Sequence, residues 1–339
     1  MNERFTPDDT RDALREIGGL LFGLAAAMIY IRKGPFFAAN PQQWDAFPMF
    51  LVVAIPAVYL YGGILTKPQT DRLRPWQAVH SVFGLIFVAL ALRQFVDLIG
   101  GTPSADLNTF WIFGLTAALA FYAGFAAGVR VQILLGAIAV IVSWTALWNE
   151  LLPDEGITAH WGVYRGLLGI LSIALLAAAL YVWRTNPGGD EVADSATEPA
   201  GDLGLWKASE LFTGAGIAAV IACSLGITAL GDLNPLGTTP PIETNSFWDI
   251  LLLLVSLGLV GIGSMIGPRG PVYVGGIGLF LFLIIVGLDL NSNPPHPFKF
   301  GVWPWVLLVL GIVGIALSFT REASLGEQPR RFVQNLRGR

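Results

Sequence analysis

Apolar residues fall along the chain in blocks of membrane length, separated by short polar segments. The clearest example is 131–183. Its first run, to Leu152, is interrupted only by Gln132, Ser143, Thr145, Asn149 and Glu150. A polar turn over 153–160 carries Pro153 and Gly156, and a second apolar run starts at Trp161. At 1.5 Å per residue, about 20 apolar residues cross a hydrocarbon layer of roughly 30 Å. In lipid only a helix or a closed barrel satisfies every backbone group, and these Leu/Ala/Ile-rich runs lack the two-residue alternation of a barrel strand.

The pattern predicts an all-α, polytopic integral membrane protein with about ten spans: 17–31, 47–65, 76–98, 109–128, 131–152, 161–183, 211–230, 247–267, 272–290 and 302–319. The first is short for a span and either thins the bilayer or inserts in part. Gly124 and Gly128, Gly263 and Gly267, and the cluster Gly275, Gly276 and Gly278 mark places where helices can approach closely.

An internal repeat runs through these blocks. Asn108-Thr109-Phe110-Trp111 answers Asn245-Ser246-Phe247-Trp248, and Trp76-Gln77-Ala78 answers Trp206-Lys207-Ala208. Arg130 answers Arg269, Glu150 answers Asp289, Gly162-Val163-Tyr164 answers Gly301-Val302-Trp303, and Arg184 answers Arg321. Spans three to six and seven to ten then read as two four-helix copies. An even number of spans per copy gives both the same orientation, a parallel repeat about an axis along the membrane normal. The organisation is a tail and first helical pair (1–75), a first copy (76–184), an acidic linker (185–205), a second copy (206–320) and a basic tail (321–339). The linker core, 186–202, carries five acids and no base, a composition that cannot bury a core.

Composition agrees with the pattern: 54% of residues are hydrophobic and 13% charged, unlike a soluble domain of this length. The net charge of −4 says less than its distribution. With the N-terminus inside, fifteen of the 20 Lys and Arg fall on the cytoplasmic side. Arg32, Lys33, Arg93 and Lys299 fall opposite, and Arg165 lies within a span. This positive-inside bias places both termini in the cytoplasm of a plasma membrane. No tryptophan lands mid-span, as indoles held at the interface require. The first 16 residues mix Arg4, Arg11 and Arg15 with five acids and precede no small-residue cleavage site, so an uncleaved anchor is expected. Cys223 is the single cysteine and sits in an apolar run, where a buried, inert thiol is expected.

The candidate chemistry gathers in the outer leaflet: Arg93 and Asp97, Asn149 and Glu150, His160, Tyr164 and Arg165, and Asp289. Ionisable groups at membrane depth mark sites or pathways by default. Local neutralisation competes with that reading, with Arg93 on Asp97, Glu150 on Arg165 and Asp289 in water. His80 lies near the inner end of its span and His160 and His296 outside, an arrangement that gives His80 no partner for haem. No HExxH, paired cysteines or phosphate-cradling glycine loop occurs, so no catalytic residue, metal, cofactor or nucleic acid is expected. The partner is the bilayer, with Arg330, Arg331, Arg337 and Arg339 able to touch anionic headgroups. The scarcity of mid-span polar groups favours a non-catalytic scaffold or assembly partner. The alternative is a transporter for a small anionic or zwitterionic solute, with Arg93 and Arg165 on the anion and Glu150 carrying a proton. An outward-facing membrane enzyme ranks third.

Overall fold

The computed structural model describes residues 7–33, 44–65, 75–152, 161–185, 203–225, 246–266 and 269–289. The regular elements among them are all α-helices: α1 (Pro7–Lys33), α2 (Ala46–Leu65), α3 (Pro75–Leu98), α4 (Asp106–Ala126), α5 (Arg130–Leu151), α6 (Trp161–Thr185), α7 (Leu203–Ser224), α8 (Ser246–Ile266) and α9 (Arg269–Asp289). Within them, Val79–Leu98, Asp106–Ala126, Arg130–Leu151, Gly162–Thr185 and Phe247–Ser264 are long and apolar enough to cross a membrane. Ala46–Gly62 and Arg269–Leu283 are shorter apolar helices. The expected span 302–319, the linker core and the basic tail lie outside the described residues.

Glycine closes two of these helices. At the end of α3, Gly100 takes φ +81°. The N–H of Gly100 returns to the Asp97 carbonyl and that of Gly101 to the Val96 carbonyl, the paired bonds of a Schellman closure. Between α4 and α5, Gly128 takes φ +72°, and the N–H groups of Ala127 and Val129 both return to the Ala123 carbonyl. A side chain at either glycine would strain a left-handed backbone. Gly128 is therefore a turn residue and not the second half of a packing motif.

The helices pack mainly as antiparallel neighbours: α2 with α3, α4 with α5, α6 with α7, and α8 with α9. The apolar stretch 131–183 is not a tight hairpin. Its two helices touch only slightly, because α5 turns to α4 and α6 to α7. Small residues explain the choice. A Cβ at Gly84 would lie 2.9 Å from the Tyr61 nitrogen, bringing α3 onto the α2 backbone. One at Gly124 would lie 3.2 Å from the Ile133 nitrogen, bringing α4 onto α5. The same approach recurs at Gly263, 3.0 Å from the Val272 nitrogen, between α8 and α9. On α6 the Ser172 hydroxyl donates to the Ala215 carbonyl of α7 at 2.8 Å. Helix α7 also touches α5, α8 and α9 and is the hub of this half.

Alanines line many helix contacts, among them Ala120, Ala123, Ala137, Ala215, Ala218 and Ala222, together with large buried side chains such as Phe87, Leu60 and Phe282. Many further large apolar residues face outward, with Val58 74%, Ile173 68% and Tyr181 70% exposed. Small residues at the contacts and large apolar ones on the outer surface are the pattern of helices packed in lipid.

Two helices depart from the sequence expectation. Helix α7, expected to begin at residue 211, begins at Leu203. Lys207, counted from the sequence on the cytoplasmic side, lies inside it, with its Nζ over the Phe125 ring. Helix α1 extends well beyond 17–31 in the N-terminal direction. It is fastened to α3 twice: Gly19 packs against His80, and the Gln94 side-chain amide donates to the Tyr30 hydroxyl at 3.1 Å. Those anchors are about 17 Å apart along α1 at helical rise.

Candidate functional site

The ends of α3, α5 and α7 and the starts of α4, α6 and α8 lie at one end of the bundle, together with six of the eight sequence candidates. Tyr164, in the first turn of α6, is almost fully buried. Its hydroxyl donates to the Asn149 Oδ1 of α5. Asn149 in turn donates through Nδ2 to Asp106 Oδ1 at 3.3 Å, at the first residue of α4. A short polar chain thus ties three helix ends together. Beside it, Asn108 donates to the Thr102 carbonyl and accepts from the Trp111 indole, holding the loop before α4 against that helix.

Arg165, the next residue, points elsewhere. About 100° further round α6, its guanidinium donates through both Nε (2.7 Å) and Nη2 to the Leu225 carbonyl at the end of α7. It also stacks 4.9 Å from the Trp248 ring centroid in the first turn of α8. The buried carboxylate of Asp249 lies within electrostatic reach. Only 9% of Arg165 is exposed. The arrangement is self-consistent: a helix C-terminus leaves carbonyls without helical partners and carries partial negative charge, and a guanidinium answers both.

The expected Glu150–Arg165 ion pair is therefore not formed. Glu150 is exposed at the rim and makes no ion pair among the described residues. The cause is the direction of α6: its buried face meets α7, so Arg165 finds α7 and α8 before it can reach the end of α5. Arg93 and Asp97 are both exposed, and no ion pair joins them among the described residues. The buried polar residue of α3 at this height is Gln94, on Tyr30. Asp289 is the last residue of α9. His160 lies outside the described residues.

Of the candidate set, then, Asn149 and Tyr164 meet directly, and Arg165 adjoins them in sequence but serves the other side. Asp106, Leu225, Trp248 and Asp249 complete the cluster and were not singled out from the sequence. Trp248 and Trp111 had appeared only as repeat partners, and a main-chain carbonyl such as Leu225 leaves no residue-type signal. No protein family, curated protein or solved structure matches the chain.

Proposed function

We propose that the chain is a multi-pass integral membrane protein of a plasma membrane, with ten spans, both termini in the cytoplasm and a duplicated four-helix unit, acting as a non-catalytic scaffold or assembly partner. The many large apolar side chains on the outer surface support the membrane reading, since facing water they would aggregate the chain. The positive-inside bias supports the orientation. The two α1–α3 anchors support α1 as a full span.

Equal offsets support the duplication. Gly124 and Ile133 are related to Gly263 and Val272 by the same 139-residue step, and both glycines admit the next helix's backbone nitrogen. Gly136 with Phe121 and Gly275 with Val260 repeat at that step. Gly84 and Gly214, both at helix crossings, share the 130-residue step that relates Trp76 to Trp206.

One observation carries the scaffold reading over transport: Arg165, the one buried Lys or Arg among the described residues, has its guanidinium engaged by the Leu225 carbonyl and the Trp248 ring. A solute anion would have to displace those contacts. Cysteine labelling tests this directly. In a Cys223→Ser background, Glu150→Cys should react with a membrane-impermeant maleimide added outside intact cells, while Leu168→Cys and Ser172→Cys on the α7-facing side of α6 should not. Reaction at the two α6 positions as fast as at Glu150→Cys would reveal a water path and favour transport.

A further inference from the structure

The opposite end of the bundle holds a cluster of cations that the proposed scaffold role does not use. Arg130, the first residue of α5, is exposed and stacks 4.7 Å from the centroid of the Trp206 ring on α7. Lys207, next on α7, lies 5.7 Å over the Phe125 ring and donates to the Phe125 carbonyl at 3.5 Å. Arg184, at about the same height, faces away: nine residues beyond Leu175 it lies half a turn round α6 from the stripe that meets α7, and it is exposed. The one carboxylate that the described residues place at this corner is Glu210, a turn further along α7 and within electrostatic reach of Arg130.

We infer that Arg130 and Lys207, grouped around the start of α7 beside Trp206, form a headgroup site for an anionic glycerophospholipid of the cytoplasmic leaflet. The inference rests on the proposed orientation for the leaflet but not for the chemistry. Two cations from two helices, against the single carboxylate of Glu210, give the excess positive charge that a phosphodiester meets. Both lie over aromatic rings, which reduces the freedom lost on binding. The indole marks the depth at which headgroups lie. Large apolar side chains exposed on α6, such as Tyr181 and Leu180, continue the surface for acyl chains. The site differs from the basic tail, whose residues act without a fixed frame.

Arg269 supplies an internal control. Its neighbour Gly270 packs on Thr213, so it enters about 10 Å further along α7 than Arg130 does. The test uses the full chain, delipidated in a neutral detergent and titrated with phosphatidylglycerol, phosphatidylcholine or inorganic phosphate. Binding is read by native mass spectrometry and thermal shift. Wild type should retain phosphatidylglycerol over phosphatidylcholine, and Arg130→Gln and Lys207→Gln should each weaken retention about fivefold, the effect of one basic residue at such a surface. Arg269→Gln should leave it unchanged. Equal retention of the two lipids would overturn the inference, as would an equal loss in Arg269→Gln or full protection by inorganic phosphate. Micelles present both ends of the protein, so a wrong orientation would surface separately, as a linker tag near Gly189 accessible outside intact cells.

Discussion

Replacing Arg165 with Ala removes the residue that joins the start of α6 to the far half of the bundle. Three terms are lost together. A hydrogen bond from a charged donor is worth about 1.5–3 kcal/mol, here to the Leu225 carbonyl. A desolvated cation–π contact, here with Trp248, adds about 2 kcal/mol. The buried Asp249 carboxylate also loses a favourable charge within electrostatic reach. These overlap and do not add, and polar contacts within membranes average only about 0.6 kcal/mol where the unfolded chain finds substitutes. With Arg165 9% exposed, the charged hydrogen bond governs, and the expected loss is about 2 kcal/mol. Unfolding in mixed SDS micelles, followed by tryptophan fluorescence, measures it. The nearby Asp249 carboxylate makes the double variant the sharper probe: the effects of Arg165→Met and Asp249→Asn should be non-additive. A loss below about 0.5 kcal/mol in Arg165→Ala, or strict additivity in the double variant, would refute the clasp, since exposed ion pairs contribute that little.

Two further outcomes follow from packing at the small and polar positions. Gly124→Val should destabilise the α4–α5 pair by about 1–3 kcal/mol through overpacking on the Ile133 backbone, while Gly169→Ala, with open space around it, should be near neutral in the same unfolding assay. Gln132 is fully buried with neither Nε2 nor Oε1 hydrogen-bonded among the described residues. Gln132→Met should therefore raise stability by about 1–3 kcal/mol, and a clear loss instead would reveal a partner for the amide.

How legible all this was depends on range. Helix existence was written in the apolar blocks, and for α2–α6, α8 and α9 the ends agree with the expected spans to within three residues. Span length is a local property fixed by bilayer thickness. The apolar block expected as a span starts only after Glu210, while α7 begins eight residues earlier and carries Lys207 and Glu210 in its first turns. Helix pairing was less legible. Consecutive spans joined by a short turn suggested a 131–183 hairpin, but the Leu168, Leu171 and Leu175 stripe of α6 packs on the small residues Ala215, Ala218 and Ala222 of α7. The outer polar residues were found as a set, and their partners were not. Tyr164 and Arg165 diverge by one helical step, and only the placement of α7 and α8 decides that Arg165 meets a main-chain carbonyl. Glu150 then has no role in the cluster, although its position in the sequence beside Arg165 made it the natural partner.

That placement also bears on where the proposed duplicated unit begins. The buried stripe of α6, Leu168, Leu171, Leu175 and Ala179, packs with Leu211, Ala215, Ala218 and Ala222 of α7 and with Ile133, Ala137 and Ile141 of α5. The α2–α3 and α6–α7 pairs are then counterparts, followed by α4–α5 and α8–α9. A four-helix period over α2–α5 and α6–α9 fits the close pairs better, although α2 and α6 start only 115 residues apart against the 130 and 139 of the other related positions. Splitting the chain distinguishes the two frames. Fragments 1–156 and 157–339 keep α6 with α7, and Arg184 at the far end of α6 preserves its orientation under the positive-inside rule. Fragments 1–190 and 191–339 part α6 from α7 and expose both faces of their interface until the halves meet. Co-expressed with tags on one half, the first pair should reach the membrane and co-purify at near the yield of the intact chain, and the second pair should fall several-fold as orphaned α6 is degraded. Equal recovery of the two pairs would return α6 to the unit that precedes it, and Tyr164, bonded to Asn149, would then be the contact that decides its place.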